Sequence, residues 1–140
     1  MMVSDNRPIL TPMETLTPQQ AWERIRARQT RDYIGLDRNY LAHYLFEGDE
    51  VSLLTYDLEE GHTLSEILNG HWSEITRQIR ASQNILLMLY CGENSEVLIN
   101  DINGLAPLAK AINDSQHFAW DIENTDSSDY RLQTCLFFVK

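Results

Sequence analysis

Residues 85–91 read ILLMLYC, seven consecutive side chains that are apolar or aromatic. A strand that is apolar on both faces must be covered on both faces, so this run predicts the central strand of a sheet with helices on either side. Alternating apolar patterns predict three further strands, at residues 51–58, 117–124 and 130–139. The run therefore indicates an α/β chain built around one buried strand.

Helical patterns separate the predicted strands. Thr17, Pro18 and Gln20 are typical of a helix start, with a capping side chain, a proline in the first helical position and a glutamine three residues after the cap. Apolar side chains recur at three- and four-residue steps in the helices. We predict helices at residues 17–29, 38–46 and 64–81, and one that begins between residues 101 and 103 and reaches residue 112, with Ile102 facing inward. The element order is α-α-β-α-β-α-β-β.

This order predicts a mixed α/β (α+β) fold. Helical crossovers favour parallel strands, so the first three strands are expected to be parallel. The short turn at residues 125–129 predicts that the last two strands pair with each other. We therefore expect a four-stranded, mostly parallel sheet with a C-terminal antiparallel hairpin, flanked by helices. Residues 1–16 hold two of the four prolines and no periodic apolar pattern, which predicts a flexible N-terminal arm before a single domain at residues 17–140.

Composition and cysteine use bear on the cellular compartment. The 140 residues are 43 % apolar, enough for one buried core. Cys91 and Cys135 lie inside apolar stretches, which is typical of reduced core cysteines and favours a reducing compartment. No apolar run approaches the roughly 18 residues that span a bilayer, and residues 1–17 lack the apolar segment of a secretion signal. We expect a cytoplasmic protein without a membrane partner.

The net charge of −10 is unevenly distributed. Residues 1–31 carry five arginines and three acidic residues, whereas residues 32–140 carry six basic and eighteen acidic side chains. An acidic body repels phosphate backbones, so we expect no nucleic-acid partner. The basic stretch is either a solvated helix face that complements its own C-terminal dipole, or a contact for an acidic partner or for the acidic body of a second copy. Its four closely spaced arginines are Arg24, Arg26, Arg28 and Arg31.

The residues that carry common chemistries are scattered. Phosphate-binding loops need clustered glycines, but all six glycines here are more than eight residues apart. The four histidines and two cysteines show no metal-binding spacing. We therefore expect no cofactor, no metal and no catalytic residue. One alternative stays open, a small cytoplasmic hydrolase or isomerase of unknown substrate that uses Cys91 with a histidine, or Asp57 with Glu59 at the end of a strand.

Several stretches resemble the C-terminal domain of the bacterial tubulin homologue FtsZ. The apolar strand at residues 84–92 is the most similar, and the likeness extends over residues 18–139 through pattern more than through invariant residues. The other similar stretches are residues 35–40, 51–56 with 58–61, 118–120 and the closing strand from residue 130. The resemblance implies the fold of that domain, without the family's GTP-binding domain, which has no counterpart in this sequence.

The loop motif is where the chain departs from the family. In FtsZ this motif supplies two aspartates that complete GTP hydrolysis on the neighbouring subunit. Asp37 matches one of them, Tyr40 occupies the second position, and Arg38 replaces the family's aromatic residue. The resemblance implies a non-catalytic protein-binding module that caps a tubulin-like filament or regulates cell division without activating GTP hydrolysis. The expected protein-binding residues are Asp37, Arg38 and Tyr40, with Arg24 and Arg28 from the basic stretch. Self-association through the same surface and a toxin or immunity-type decoy are further readings.

Overall fold

The computed structural model describes residues 13–27 and 38–140, without the side chains of residues 38 and 39. Six helices and five strands lie within these ranges. In chain order they are β1 (Glu14–Leu16), α1 (Pro18–Ala27), α2 (Arg38–Phe46), β2 (Val51–Leu58), α3 (Leu64–Gly70), α4 (Trp72–Arg80), β3 (Asn84–Cys91), α5 (Ile99–Asn103), α6 (Leu105–Ala111), β4 (His117–Asn124) and β5 (Leu132–Val139).

The five strands form one mixed sheet in the order β1-β2-β5-β3-β4. β3 and β4 are parallel neighbours, as predicted, and every other neighbouring pair is antiparallel. β2 runs in the same direction as β3, because both are antiparallel to β5. All eight residues of β3 and of β5 are buried, which confirms that the apolar run at residues 85–91 forms a central strand.

Three features of the expected sheet are wrong. The sheet has five strands and is mostly antiparallel, and β4 and β5 do not form a hairpin. Burial explains the difference. Exposed and buried residues alternate along β4, which suits an outer strand, whereas β5 is buried on both faces and belongs in the middle of the sheet. The connection at residues 125–131 therefore passes β3 and delivers β5 between β3 and β2.

Helices cover both faces of the sheet. On one face, α1 and α2 contribute Ala21, Ile25, Leu41 and Leu45 to a buried cluster with β2, β3 and β5. On the other face, side chains from α3, α4 and α6 form a second buried cluster with the same three strands. Apolar side chains of α1, α2, α3, α4 and α6 therefore pack into a core that lies on both sides of the sheet.

Two of the predicted helices are each divided into two. The segment at 64–81 breaks at His71, whose φ of −126° is not helical, directly after Gly70. The next helical segment breaks at Gly104, which places Pro107 in the first turn of α6. A backbone N–H has no intrahelical partner in that turn, so proline is tolerated there.

The N-terminal part of the described chain contains an unpredicted strand. Glu14–Leu16 pairs antiparallel with β2, inside the segment expected to be an arm, while residues 1–12 of that segment lie outside the described residues. The predicted cap of α1 is confirmed, since Thr17 Oγ1 accepts the N–H of Gln20 at 3.1 Å and Gln20 Oε1 accepts the N–H of Thr17 at 2.9 Å. No helix in residues 13–27 and 38–140 is long and apolar enough to cross a membrane.

Candidate functional site

One candidate surface is an aromatic cluster on α2, formed by Tyr40, His43, Tyr44 and His117. Tyr40 is 46 % exposed, and its ring meets that of Tyr44 edge to face with 4.8 Å between centroids. The two hydroxyl oxygens are 2.6 Å apart, and this hydrogen bond raises the pKa of Tyr44. His43 lies beside Tyr44 at 5.7 Å between ring centroids. The four-residue spacing of the two tyrosines on a helix brings their rings together.

The sheet holds the aromatic cluster in place. The imidazole of His117, at the start of β4, lies 5.1 Å from the Tyr44 ring. The buried amide of Asn84, at the start of β3, donates to the backbone carbonyl of Tyr44 at 3.0 Å. Tyr44 is thereby fixed from two strands, and in turn it fixes Tyr40. The exposed ring of Tyr40 is therefore presented on a rigid support, which lowers the entropy lost when a partner covers it.

Of the other predicted protein-binding residues, the structure describes the side chain of Arg24 alone. Asp37 and Arg28 lie outside the described residues, and Arg38 begins α2 but its side chain is not described. Arg24 is in α1, where its guanidinium binds the Glu14 carboxylate at 2.8 and 3.3 Å and joins α1 to β1. The described structure therefore engages Arg24 within the chain itself and leaves Tyr40 exposed.

A second candidate surface was not predicted from the sequence. It is a cleft of about 550 Å³ at the end of the sheet where β2 and β3 finish and β5 begins. The loop after β2, the loop after β3 and the segment before β5 line it. We call it the strand-end cleft; its lining residues are 59–61, 93–96, Leu98 and 128–131. Open α/β sheets commonly place ligands at this end of their strands.

Two tight turns shape the walls of the cleft. The turn after β2 has Gly61 at φ 91°, with the N–H of His62 donating to the carbonyl of Glu59 at 3.2 Å. The turn after β3 has Asn94 at φ 56°, with the N–H of Ser95 donating to the carbonyl of Gly92 at 3.1 Å. Glycine and asparagine are the residues that adopt this left-handed conformation most readily, so the sequence specifies both turns locally.

A buried ion pair lies beside the cleft, which one of its members, Arg131, lines. Asp101 is fully buried, and its two oxygens accept from both terminal nitrogens of Arg131 at 2.9 and 3.1 Å. The same oxygens accept the backbone N–H groups of Leu64 and Leu98 at 2.9 and 2.8 Å. Arg131 also donates to the carbonyl of His62 at 2.6 Å. This pair ties the starts of α3, α5 and β5 together.

In α5 the charged side chain is buried and apolar side chains are exposed, which is the reverse of the usual arrangement in a globular helix. The sequence predicted Ile102 to face inward, but Ile102 is 43 % exposed and Asp101 is buried instead. The prediction is wrong because the Asp101 carboxylate accepts four hydrogen bonds in the interior, and these hold Asp101 on the buried side of α5. Leu98 and Ile99 are exposed as well, at 39 % and 79 %. We call Leu98, Ile99 and Ile102 the α5 apolar patch, and Leu98 also lines the strand-end cleft.

The residues considered for enzymatic chemistry are dispersed. Cys91 and Cys135 are both buried, and burial raises the pKa of the Cys91 thiol, which disfavours the thiolate that a nucleophile requires. Asp57 accepts from the side-chain amide of Gln133 at 2.7 Å, whereas Glu59 lines the cleft. In the part of the chain that the structure describes, no group of three or more histidine, cysteine, aspartate or glutamate side chains is placed to hold a metal ion.

Comparison with known proteins adds no relationship, since the sequence matches no protein-family model and no curated protein.

Proposed function

We propose that this chain is a non-catalytic, cytoplasmic protein-binding module related to the C-terminal domain of FtsZ, and that it caps tubulin-like filaments as a regulator of cell division. The observation that supports this proposal is the exposed, rigidly mounted Tyr40 ring in the first turn of α2. The resemblance places the family's loop motif at this position. Tyrosine is enriched among the residues that dominate binding energy in protein interfaces.

The chemistry of Tyr40 supports capping rather than activation. In the family, the second carboxylate of the motif helps to complete GTP hydrolysis on the next subunit. The Tyr40 phenol, whose hydroxyl oxygen is hydrogen-bonded to that of Tyr44 at 2.6 Å, cannot act as that carboxylate. Its ring nevertheless offers contact area at a low cost in side-chain entropy. A filament end that binds this chain would therefore be occupied without gaining hydrolysis.

The experiment mixes the purified chain with a bacterial tubulin homologue and GTP. The proposal predicts shorter filaments in electron micrographs, less sedimented polymer and a lower GTPase rate at several-fold excess of the chain. Tyr40→Ala removes a central aromatic anchor, which typically costs about 2 kcal/mol or more, a loss of roughly thirtyfold in affinity. This variant should lose the capping effect, and because the ring is 46 % exposed, the fold should survive the change.

A matched control lies at the other end of the sheet. Ile99→Ser removes an apolar side chain that is 79 % exposed, on α5, and should cap as well as the natural chain. Unchanged filaments and hydrolysis with the natural chain would contradict the proposal, as would equal loss of capping in both variants. Light scattering of the chain alone distinguishes self-association from filament capping. A dimer that Tyr40→Ala dissociates would show that a second copy occupies this surface.

A further inference from the structure

The α5 apolar patch carries an inference that does not depend on the aromatic cluster. Its three side chains, Leu98, Ile99 and Ile102, are 39 %, 79 % and 43 % exposed, while the acidic residue of the same helix is fully buried. Globular helices normally expose the charge and bury the apolar side chains. Exposed apolar clusters that are rimmed by polar residues commonly mark interaction surfaces.

The charge around this patch is of one sign. Five carboxylates line the adjoining cleft, and all five residues are exposed. They are Glu59, Glu60, Glu93, Glu96 and Asp129. The one arginine in the lining, Arg131, is already paired with the buried Asp101. Among the residues that the structure describes, the cleft lining therefore presents a negative field directly beside an apolar surface.

Arg131 contributes a separate observation that points to a ligand. Its side chain is 9 % exposed, and its Nε is buried without a hydrogen-bond partner among the described residues. A buried donor that lacks an acceptor carries an energetic penalty, which a ligand carbonyl would remove once a side-chain rearrangement at the cleft wall exposed the Nε. Backbone carbonyls are the acceptors that a peptide segment supplies along its whole length.

We propose that the strand-end cleft and the α5 apolar patch together dock a basic segment of a partner protein, with apolar side chains of that segment on Ile99 and Ile102 and its lysines or arginines among the cleft carboxylates. The occupant is a foreign segment rather than a second copy, because two chains of net charge −10 repel each other overall and Arg24, in the chain's own basic stretch, is already paired with Glu14. The site is distinct from the aromatic cluster, since Asn84 and Cys91 mark opposite ends of β3, about 23 Å apart along the strand.

The test uses three fluorophore-labelled twelve-residue peptides with the intact chain. The first has lysine and leucine at helical spacing, the second replaces leucine with serine, and the third replaces lysine with glutamate. Fluorescence anisotropy at low salt should show the lysine–leucine peptide binding at least about tenfold more tightly than the lysine–serine peptide. The glutamate–leucine peptide should not bind. Added salt should lower the affinity of the lysine–leucine peptide, because salt screens exposed charges.

Variants of the chain locate the binding. Ile99→Asp and the double variant Glu93→Lys with Glu96→Lys should each weaken the lysine–leucine peptide by about tenfold or more. Asp114→Lys, an exposed charge reversal before the start of β4 and so at the opposite end of the sheet, should change the affinity by less than about twofold. Ile102→Ser provides a milder test of the patch if circular dichroism shows that Ile99→Asp does not fold.

Three results would overturn the proposal. The first is equal affinity for the lysine–leucine and lysine–serine peptides, which would reduce the effect to general electrostatic attraction. The second is equal weakening by the Asp114→Lys control. The third is a chain that scatters light as a dimer and becomes a monomer on Ile99→Asp substitution, because a second copy would then occupy the patch. None of these results bears on capping through Tyr40, so the two proposals fail separately.

Discussion

Replacing Asp101 with asparagine tests the ion pair on which the strand-end cleft is built. Asp101 is fully buried and accepts four hydrogen bonds, two of them from a guanidinium that is only 9 % exposed. Asparagine keeps the shape but removes the charge, which leaves Arg131 buried without a counter-ion. Breaking a buried pair in this way costs about 3–5 kcal/mol. We expect Asp101→Asn to lower the free energy of unfolding by that amount.

The predicted loss is large enough to measure by two methods. The unfolding entropy of a chain of 140 residues is about 0.3 kcal/mol/K, so the melting temperature should fall by about 10–17 °C. Urea unfolding followed by circular dichroism at pH 7 should show the same loss as a lower midpoint with an unchanged slope. Glu14→Gln is the matched control, because it removes another carboxylate that binds an arginine twice, but from a pair with 41 % and 53 % exposed side chains.

The control should lose less than about 1 kcal/mol, since water already solvates that pair. Equal losses from Asp101→Asn and Glu14→Gln would refute the view that the buried pair holds the cleft together. So would an Asp101→Asn variant as stable as the natural chain.

The same pair predicts how stability depends on pH. Burial by itself raises the pKa of Asp101, but the hydrogen bonds from Arg131 and from the N–H groups of Leu98 and Leu64 outweigh it and hold the pKa below its ordinary value. The carboxylate therefore contributes stability above its unfolded pKa of about 3.9, and the contribution is lost as pH falls through the folded pKa. The stability difference between the natural chain and Asp101→Asn should be constant from pH 5 to pH 8 and should narrow below about pH 4. A constant difference down to pH 2 would contradict this assignment.

Three further substitutions test how individual residues are packed. Tyr56→Phe should raise the free energy of unfolding by about 1 kcal/mol in urea titrations, because the buried hydroxyl has no hydrogen-bond partner among the described residues. A loss of stability would show that the hydroxyl makes a stabilising hydrogen bond. Gly92→Ala should lower the free energy of unfolding by about 3 kcal/mol or more, since an added Cβ would lie 1.9 Å from the carbonyl oxygen of Tyr130. Gly61→Ala should lower it by only about 1 kcal/mol, because the added Cβ would meet no neighbour within 4 Å among the described residues and only the φ of 91° opposes it. Equal losses would show that the close approach at Gly92 is relieved by backbone movement.

Local patterns predicted most of the elements of this chain, and burial decided their arrangement. The apolar run at residues 85–91 and the cap at Thr17 were identified correctly because each depends on neighbouring residues alone. The order of the strands was not, because the short connection before β5 favoured a hairpin. The signal that would have placed β5 was present, since residues 135–139 read CLFFV and are apolar on both faces, as in the run at 85–91.

The same difference between local and long-range signals applies to the two candidate surfaces. Tyr40 was selected through the resemblance to FtsZ, and the structure shows it exposed in the first turn of a helix that the local pattern predicted. The strand-end cleft was missed, because Asp101 and Arg131 are thirty residues apart and meet only once the sheet has formed. Asp101 is a plausible helix-cap residue in isolation, and nothing local distinguishes a solvated cap from one that binds a distant guanidinium.

The claim that this chain acts by presenting its α2 surface to another protein is tested most directly by recording amide NMR spectra while a bacterial tubulin homologue is titrated in. Capping through α2 predicts that signals from residues 40–46 and from His117 broaden first, while those of α4 and the strand-end cleft keep their intensity. A spectrum that does not change at saturating filament concentration, or one that changes at residues 93–103 alone, would contradict it.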